Sequence, residues 1–220
     1  FLIEKNYYVF RLGDRPAPKI NFSNKKFFDL PYSELKSEIM DLFLIKECSF
    51  YVGTISGTMD TSYLFKKPTF LTNMYELFPS FPRKKEDRGI FKKIFDKKKK
   101  EYLSIKKFAE LSINYHHCEM DMKDLEFREN SSDELLKGII EYYDLINSYG
   151  DNASNILLDD TQKNLNIFLN KRLKEIYEYD FMKKNFFKKN LWKRNEFMRI
   201  TKRFKSCEGT LNKSYLKNNF

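Results

Sequence analysis

Apolar residues along this chain fall into short runs and helix-spaced stripes, parted by polar segments that carry proline, glycine and asparagine. Tyr8-Val9-Phe10 forms the apolar centre of a strand predicted over residues 7–10, and residues 15–28, with Pro16 and Pro18, read as a loop. Over residues 33–47 the spacing becomes helical, with Leu35, Ile39, Leu42 and Phe43 on one face. Phe50-Tyr51-Val52 has the composition of a strand buried on both faces. Residues 59–65 suit a helix, and Thr69-Phe70-Leu71 begins a second apolar strand after Pro68. Strand, turn, helix and strand within about 25 residues make a compact βαβ unit, whose crossover is expected to be right-handed. The strands at 7–10, 50–52 and 69–71 are expected to share one small parallel sheet. Residues 102–111 read as a short helix. Asn130-Ser131-Ser132-Asp133-Glu134 then caps a helix over 133–148, with Leu135, Ile139, Ile140, Tyr143 and Ile146 on its apolar side.

The turn inside the βαβ unit holds the densest candidate chemistry. Gly53, Thr54, Ser56, Gly57 and Thr58 follow the strand at once and lead into the helix. They bring two glycines, three hydroxyls and a set of backbone N–H groups to the positive end of a helix, an arrangement suited to a diphosphate. Glycine is needed where the backbone itself must approach a phosphate closely, and a positive φ is expected at Gly57. A tight turn whose hydroxyls only cap the helix needs the same residue types, although a cap uses one side chain.

Three pieces of sequence in order carry a family resemblance. Residues 7–14, Y-Y-V-F-R-L-G-D, are a strand ending in R-x-G-D. Asp41-Leu42-Phe43-Leu44 runs into C-S-F-Y-V-G-T-I-S-G and on to K-P-T-F-L-T-N. E-N-S-S-D-E-L-L opens the late helix. Together they resemble the donor-binding region of a bacterial family of glycosyltransferases with the GT-B architecture, distantly similar to fucosyltransferase-type enzymes. The resemblance spans residues 1–143, with a weaker echo at 209–220, and its most specific element is F-Y-V-G-T-x-S-G. It implies an α/β fold, a Rossmann-like parallel sheet flanked by helices, over residues 1–150. A helical basic extension would follow over 151–220. It also implies a nucleotide-sugar donor, a glycan or lipid-linked acceptor of the bacterial surface, and chemistry that runs without a bound metal or an organic cofactor. Gly53, Thr54, Ser56, Gly57, Thr58 and Asn73 would then hold the donor. Arg11, at the end of its strand, would stabilise the departing nucleoside diphosphate, and Asp14 would bind sugar or ribose. A turn salt bridge is the plainer role of R-x-G-D. GT-B enzymes have two Rossmann-like halves, so a first half, where the general base often lies, is expected to be missing from this chain.

Composition narrows the remaining choices. A hydrophobic content of 41%, with 17% aromatic residues, supports a packed core and excludes wholesale disorder. No apolar stretch approaches the ~20 residues that span a bilayer, and no signal-peptide pattern precedes the first strand. Three cysteines without paired spacing, Cys48, Cys118 and Cys207, fit a reduced, cytoplasmic protein. His116-His117-Cys118 has no second cluster to complete a metal site. The formal charge of +10 comes wholly from residues 161–220, which carry sixteen basic and five acidic side chains. Packing on the domain is the first expectation for this aromatic, basic tail. Peripheral contact with an anionic inner-membrane surface comes second. Nucleic acid ranks last, since no recognition module accompanies the tail. The class that competes with a transferase is a non-catalytic nucleotide or phosphate-binding module docked through the tail on membrane or RNA.

Overall fold

A computed structural model describes residues 1–15, 17–110, 123–149, 158–176 and 191–219. The protein is mixed α/β, with a parallel sheet flanked by helices. The chain divides into two compact units: Phe1–Tyr51 with Ser56–Pro68, and Val52–Ile55 with Thr69–Phe220.

The first unit opens on two short strands, β1 (Val9–Arg11) and β2 (Phe27–Asp29), paired in parallel with Val9 opposite Phe27 and Arg11 opposite Asp29. The expected sheet is corrected here, because β1 pairs with β2 in a sheet of its own rather than with the strands of the βαβ unit. The loop between them is fastened by side chains that no local pattern announces. Asp29 accepts from Arg11 Nε at 2.5 Å and from the Ile20 N–H at 3.0 Å. The Tyr32 hydroxyl reaches the carbonyls of Arg15 at 3.0 Å and Ala17 at 2.7 Å. Helix α1 (Glu38–Glu47) starts later than the spacing suggests, because Ser37 is its cap and accepts the Met40 N–H at 3.1 Å. The predicted apolar face is outside: Leu35, Leu42 and Phe43 are exposed, Ile39 to 80%, while Ile45 is buried. Apolar residues ring most of this helix, so spacing alone cannot choose which side packs. Helix α2 (Gly57–Leu64) completes the unit with Met59 and Ser62 inside.

The second unit is organised on a four-stranded sheet of order β3 (Tyr51–Gly53), β4 (Thr69–Met74), β5 (Arg88–Phe91) and β9 (Thr210–Leu211). β4, β5 and β9 run parallel, with Phe70 opposite Arg88 and Gly89 opposite Leu211. β4 is buried along most of its length, but Val52 of β3 is 42% exposed. The expectation of burial on both faces fails for β3 because it is an edge strand. Helix α4 (Ser132–Tyr149) lies on β4, where Gly138 leaves room for the Phe70 ring and Tyr142 stacks on that ring at 5.4 Å. The capping box is as the sequence suggests: Ser131 Oγ accepts the Glu134 N–H, and Glu134 Oε2 accepts the Ser131 N–H at 2.9 Å.

A second, antiparallel sheet has the order β7 (Glu101–Tyr102), β6 (Lys93–Asp96), β8 (Leu125–Arg128). It displaces part of the helix expected at 102–111, leaving α3 at Ile105–Glu110. The tail contributes α5 (Asp160–Ile176), α6 (Leu191–Lys205) and α7 (Lys213–Asn219) besides β9. Leu165, Leu169 and Leu173 recur every fourth residue on the buried side of α5. On α6 the Phe204 ring stands edge-on to Phe78 at 5.0 Å and to Phe81 at 5.3 Å. Glu141 of α4 caps α7 by accepting the N–H groups of Lys213 and Ser214. Of the tail aromatics expected to pack on the domain, Phe187 and the side chain of Trp192 lie outside the described residues, as do residues 116–118.

Candidate functional site

The sequence places a strand at residues 50–52, a small-residue turn and a helix at 59–65; the structure has the strand at Tyr51–Gly53 and a helix that starts earlier, at Gly57–Leu64. In the first unit, Ser56 is the residue before α2, with extended backbone at φ −166° and ψ 173°. Its hydroxyl does not cap the helix. It lies 2.9 Å from Thr58 Oγ1, which also meets the Tyr51 hydroxyl at 2.7 Å. Three hydroxyls are therefore linked through Thr58, and Tyr51 is a member that composition alone did not single out. Gly57 opens α2 with a negative φ, so the positive φ expected there is corrected. Space is left beside it: a Cβ at Gly57 would meet no atom within 4 Å. Asp60 is the acidic residue of the first turn.

Arg11 and Asp14 take separate partners in the same unit. The Arg11 guanidinium is held by Asp29 through Nε and donates from Nη1 to the Pro18 carbonyl at 2.7 Å. Its Nη2 is buried without a hydrogen-bond partner. Asp14 has an 89% exposed side chain and lies 3.7 Å from Lys36 Nζ. The salt bridge of the R-x-G-D segment thus forms with Asp29, fifteen positions beyond Asp14, and not within the turn.

Gly53, Thr54 and Asn73 belong to the second unit. Gly53 ends β3, and its carbonyl accepts from Thr72 Oγ1 at 3.3 Å. Thr54 follows it in an exposed position. Asn73 sits at an irregularity between Leu71 and Met74 of β4, with φ at 49°. This is left-handed backbone, which asparagine adopts more readily than other side chains. Asn73 and Asn130 clasp each other: the Asn73 N–H donates to Asn130 Oδ1 at 2.8 Å, and the Asn130 N–H to Asn73 Oδ1 at 2.6 Å. Asn130 Nδ2 donates in turn to the Phe91 carbonyl at 2.8 Å. Asn130 was legible only as part of the cap of α4, and its partner lies 57 residues away.

A buried carboxyl with a raised pKa lies elsewhere. Asp87 is fully buried just before β5, and accepts the N–H groups of Thr69 and Lys84, each at 2.9 Å. Burial pushes its carboxyl up to about 6, although Lys84 pulls the other way. Thr69 is the first residue of β4, so Asp87 stands at the sheet edge opposite Asn73 and serves the fold. A carboxyl whose folded pKa is raised favours folding most at low pH, and that contribution is lost as pH rises through about 6. A shift of this size sets an upper bound of about 3 kcal/mol. In Asp87→Asn, the fall in stability between pH 4 and pH 7 should flatten in urea titrations. An unchanged slope would assign the titration to other groups.

No family model, no curated protein and no solved structure matches this chain. Among the described residues, no helix is long and apolar enough to cross a membrane.

Proposed function

We propose that this chain is the donor-binding part of a glycosyltransferase that moves a sugar from a nucleotide-sugar to a glycan or lipid-linked acceptor of the bacterial surface. The observation that carries the reading is the turn from β3 into α2. Open space faces the Gly57 backbone, and Ser56 and Thr58 offer linked hydroxyls beside the helix start. A diphosphate needs such a cradle, because its charge is met by N–H dipoles and hydroxyls and a side chain at Gly57 would hold it off. Gly53 and Thr54 lead the chain into that turn. Of the pieces that carry the GT-B resemblance, F-Y-V-G-T-I-S-G covers β3, the turn and the start of α2.

The rival reading is a nucleotide-binding module without turnover. It draws support from Arg11, whose charge is already spent on Asp29, and from the exposure of Asp14. Titration calorimetry with UDP, GDP and CDP tests the diphosphate cradle that both readings share. One of them should bind at micromolar strength. Gly57→Val should abolish that binding at an unchanged melting temperature, since its Cβ would stand in open space. A parallel loss of binding and stability would make Gly57 structural and remove the argument. Transfer from the matching nucleotide-sugar then separates enzyme from module.

A further inference from the structure

The antiparallel sheet of the second unit carries a charged feature that the proposed function does not use. Between β6 and β7 the chain turns through Lys97, Lys98, Lys99 and Lys100, and all four are exposed. The turn is fixed by its neighbours. Asp96 Oδ1 accepts the N–H groups of Lys98 at 2.9 Å and Lys99 at 3.0 Å, and Lys100 closes the turn with φ at 56°. The Lys97 N–H donates to the Asp124 carbonyl at 2.8 Å, which brings exposed Lys123 to the same end of the sheet.

Five lysines thus share this end of the sheet with three acids, Asp96, Asp124 and Glu101. Asp96 is engaged by the N–H groups of the turn, and Asp124 is paired with Lys98. Among the described residues, Lys99 and Lys100 have no acidic partner. Lysine is a hydrated point charge without the planar fork that grips a single phosphate. Several of them displayed on an open turn suit an extended anionic surface, where each charge is attracted on its own.

Nucleic acid is the other extended anion to weigh, and it would need open ring faces on which its bases could stack. The rings beside the turn are Phe95 and Tyr102, paired across β6 and β7, and cations already sit over both. The Arg128 guanidinium lies 4.2 Å from the Phe95 centroid and 5.4 Å from that of Tyr102, and Lys93 Nζ lies 5.6 Å from the latter. Arg128 is held there by Glu126 and by the Tyr102 hydroxyl. A bilayer makes no such demand on the rings.

We infer that the turn between β6 and β7 is a docking surface for an anionic phospholipid bilayer, with Lys99 and Lys100 as its main contacts. The inference needs neither the basic tail nor the turn at Gly57, so it stands or falls apart from the proposed function.

Cosedimentation of the full chain with phosphatidylglycerol vesicles tests it, with phosphatidylcholine vesicles as the neutral reference. Binding is expected to the anionic vesicles alone, and added salt should weaken it by screening. Lys99→Gln combined with Lys100→Gln should lower the affinity about twentyfold or more, at about fivefold for each lysine. Lys163→Gln combined with Lys171→Gln removes the same charge from exposed positions of α5 and should have a much smaller effect. Equal losses in the two double variants would reduce the effect to net charge and overturn the inference. Undiminished binding in the Lys99 and Lys100 variant, or equal binding to both kinds of vesicle, would do the same. A chain that ignores phosphatidylglycerol but binds a single-stranded RNA oligomer through these lysines would give the surface to nucleic acid instead.

Discussion

Gly209→Ala should cost about 3 kcal/mol of stability, at the upper end of what overpacking usually does. A Cβ at this position would lie 2.5 Å from the carbonyl carbon and Cβ of Pro82, and 2.6 Å from its oxygen. The obstacle is main chain, which cannot rotate aside as a side chain can. The same oxygen accepts the Gly209 N–H at 3.2 Å, and the Arg83 carbonyl accepts the Glu208 N–H at 2.8 Å. The strand cannot back away without breaking the bonds that bring the tail to the sheet. Gly57→Ala supplies the contrast, because nothing crowds a Cβ there and alanine favours a helix by up to about 1 kcal/mol. Urea midpoints of the two variants should move in opposite directions or differ by several-fold. Equal shifts would mean that the close approach at Pro82 relaxes freely.

Asn130→Ala is expected to cost about 2 to 4 kcal/mol, since it strands two main-chain groups at once. The Asn73 N–H loses its acceptor and the Phe91 carbonyl, on a fully buried residue, loses its donor. Asn130→Asp retains the acceptor and sets a carboxylate against the Phe91 carbonyl, so it should rescue little. Differential scanning calorimetry at neutral pH decides the matter. A loss below about 1 kcal/mol would show that water replaces both bonds.

The parts of this fold that the sequence discloses are those decided within a few neighbouring residues. Phe50-Tyr51-Val52 followed by small residues and a helix is such a case, and so is α4. Its cap, Ser131 with Glu134, and its stripe lie within one window. What stayed hidden depends on pairs far apart in the chain. β2 reads as loop because its strand character comes from pairing with β1 and from the grip of Asp29 on Arg11. β6 (Lys-Ile-Phe-Asp) and β8 (Leu-Glu-Phe-Arg) are each half charged, and their pairing of Ile94 with Phe127 is non-local. The candidate site follows the same rule. The hydroxyls of the turn are visible as a cluster, whereas Tyr51 and Asn130 gain meaning only from contacts with Thr58 and Asn73.

Gly89 pairs with Leu211, so the central sheet waits on residues made long after its other strands. During translation, β5 leaves the ribosome with one edge bare and keeps it bare while the antiparallel sheet and helices α3 to α6 are still being synthesised. Contacts of such sequence separation form slowly, and an uncovered strand invites pairing with other chains. Nascent chains stalled before residue 210 should therefore be the species that chaperones hold and proteases clear.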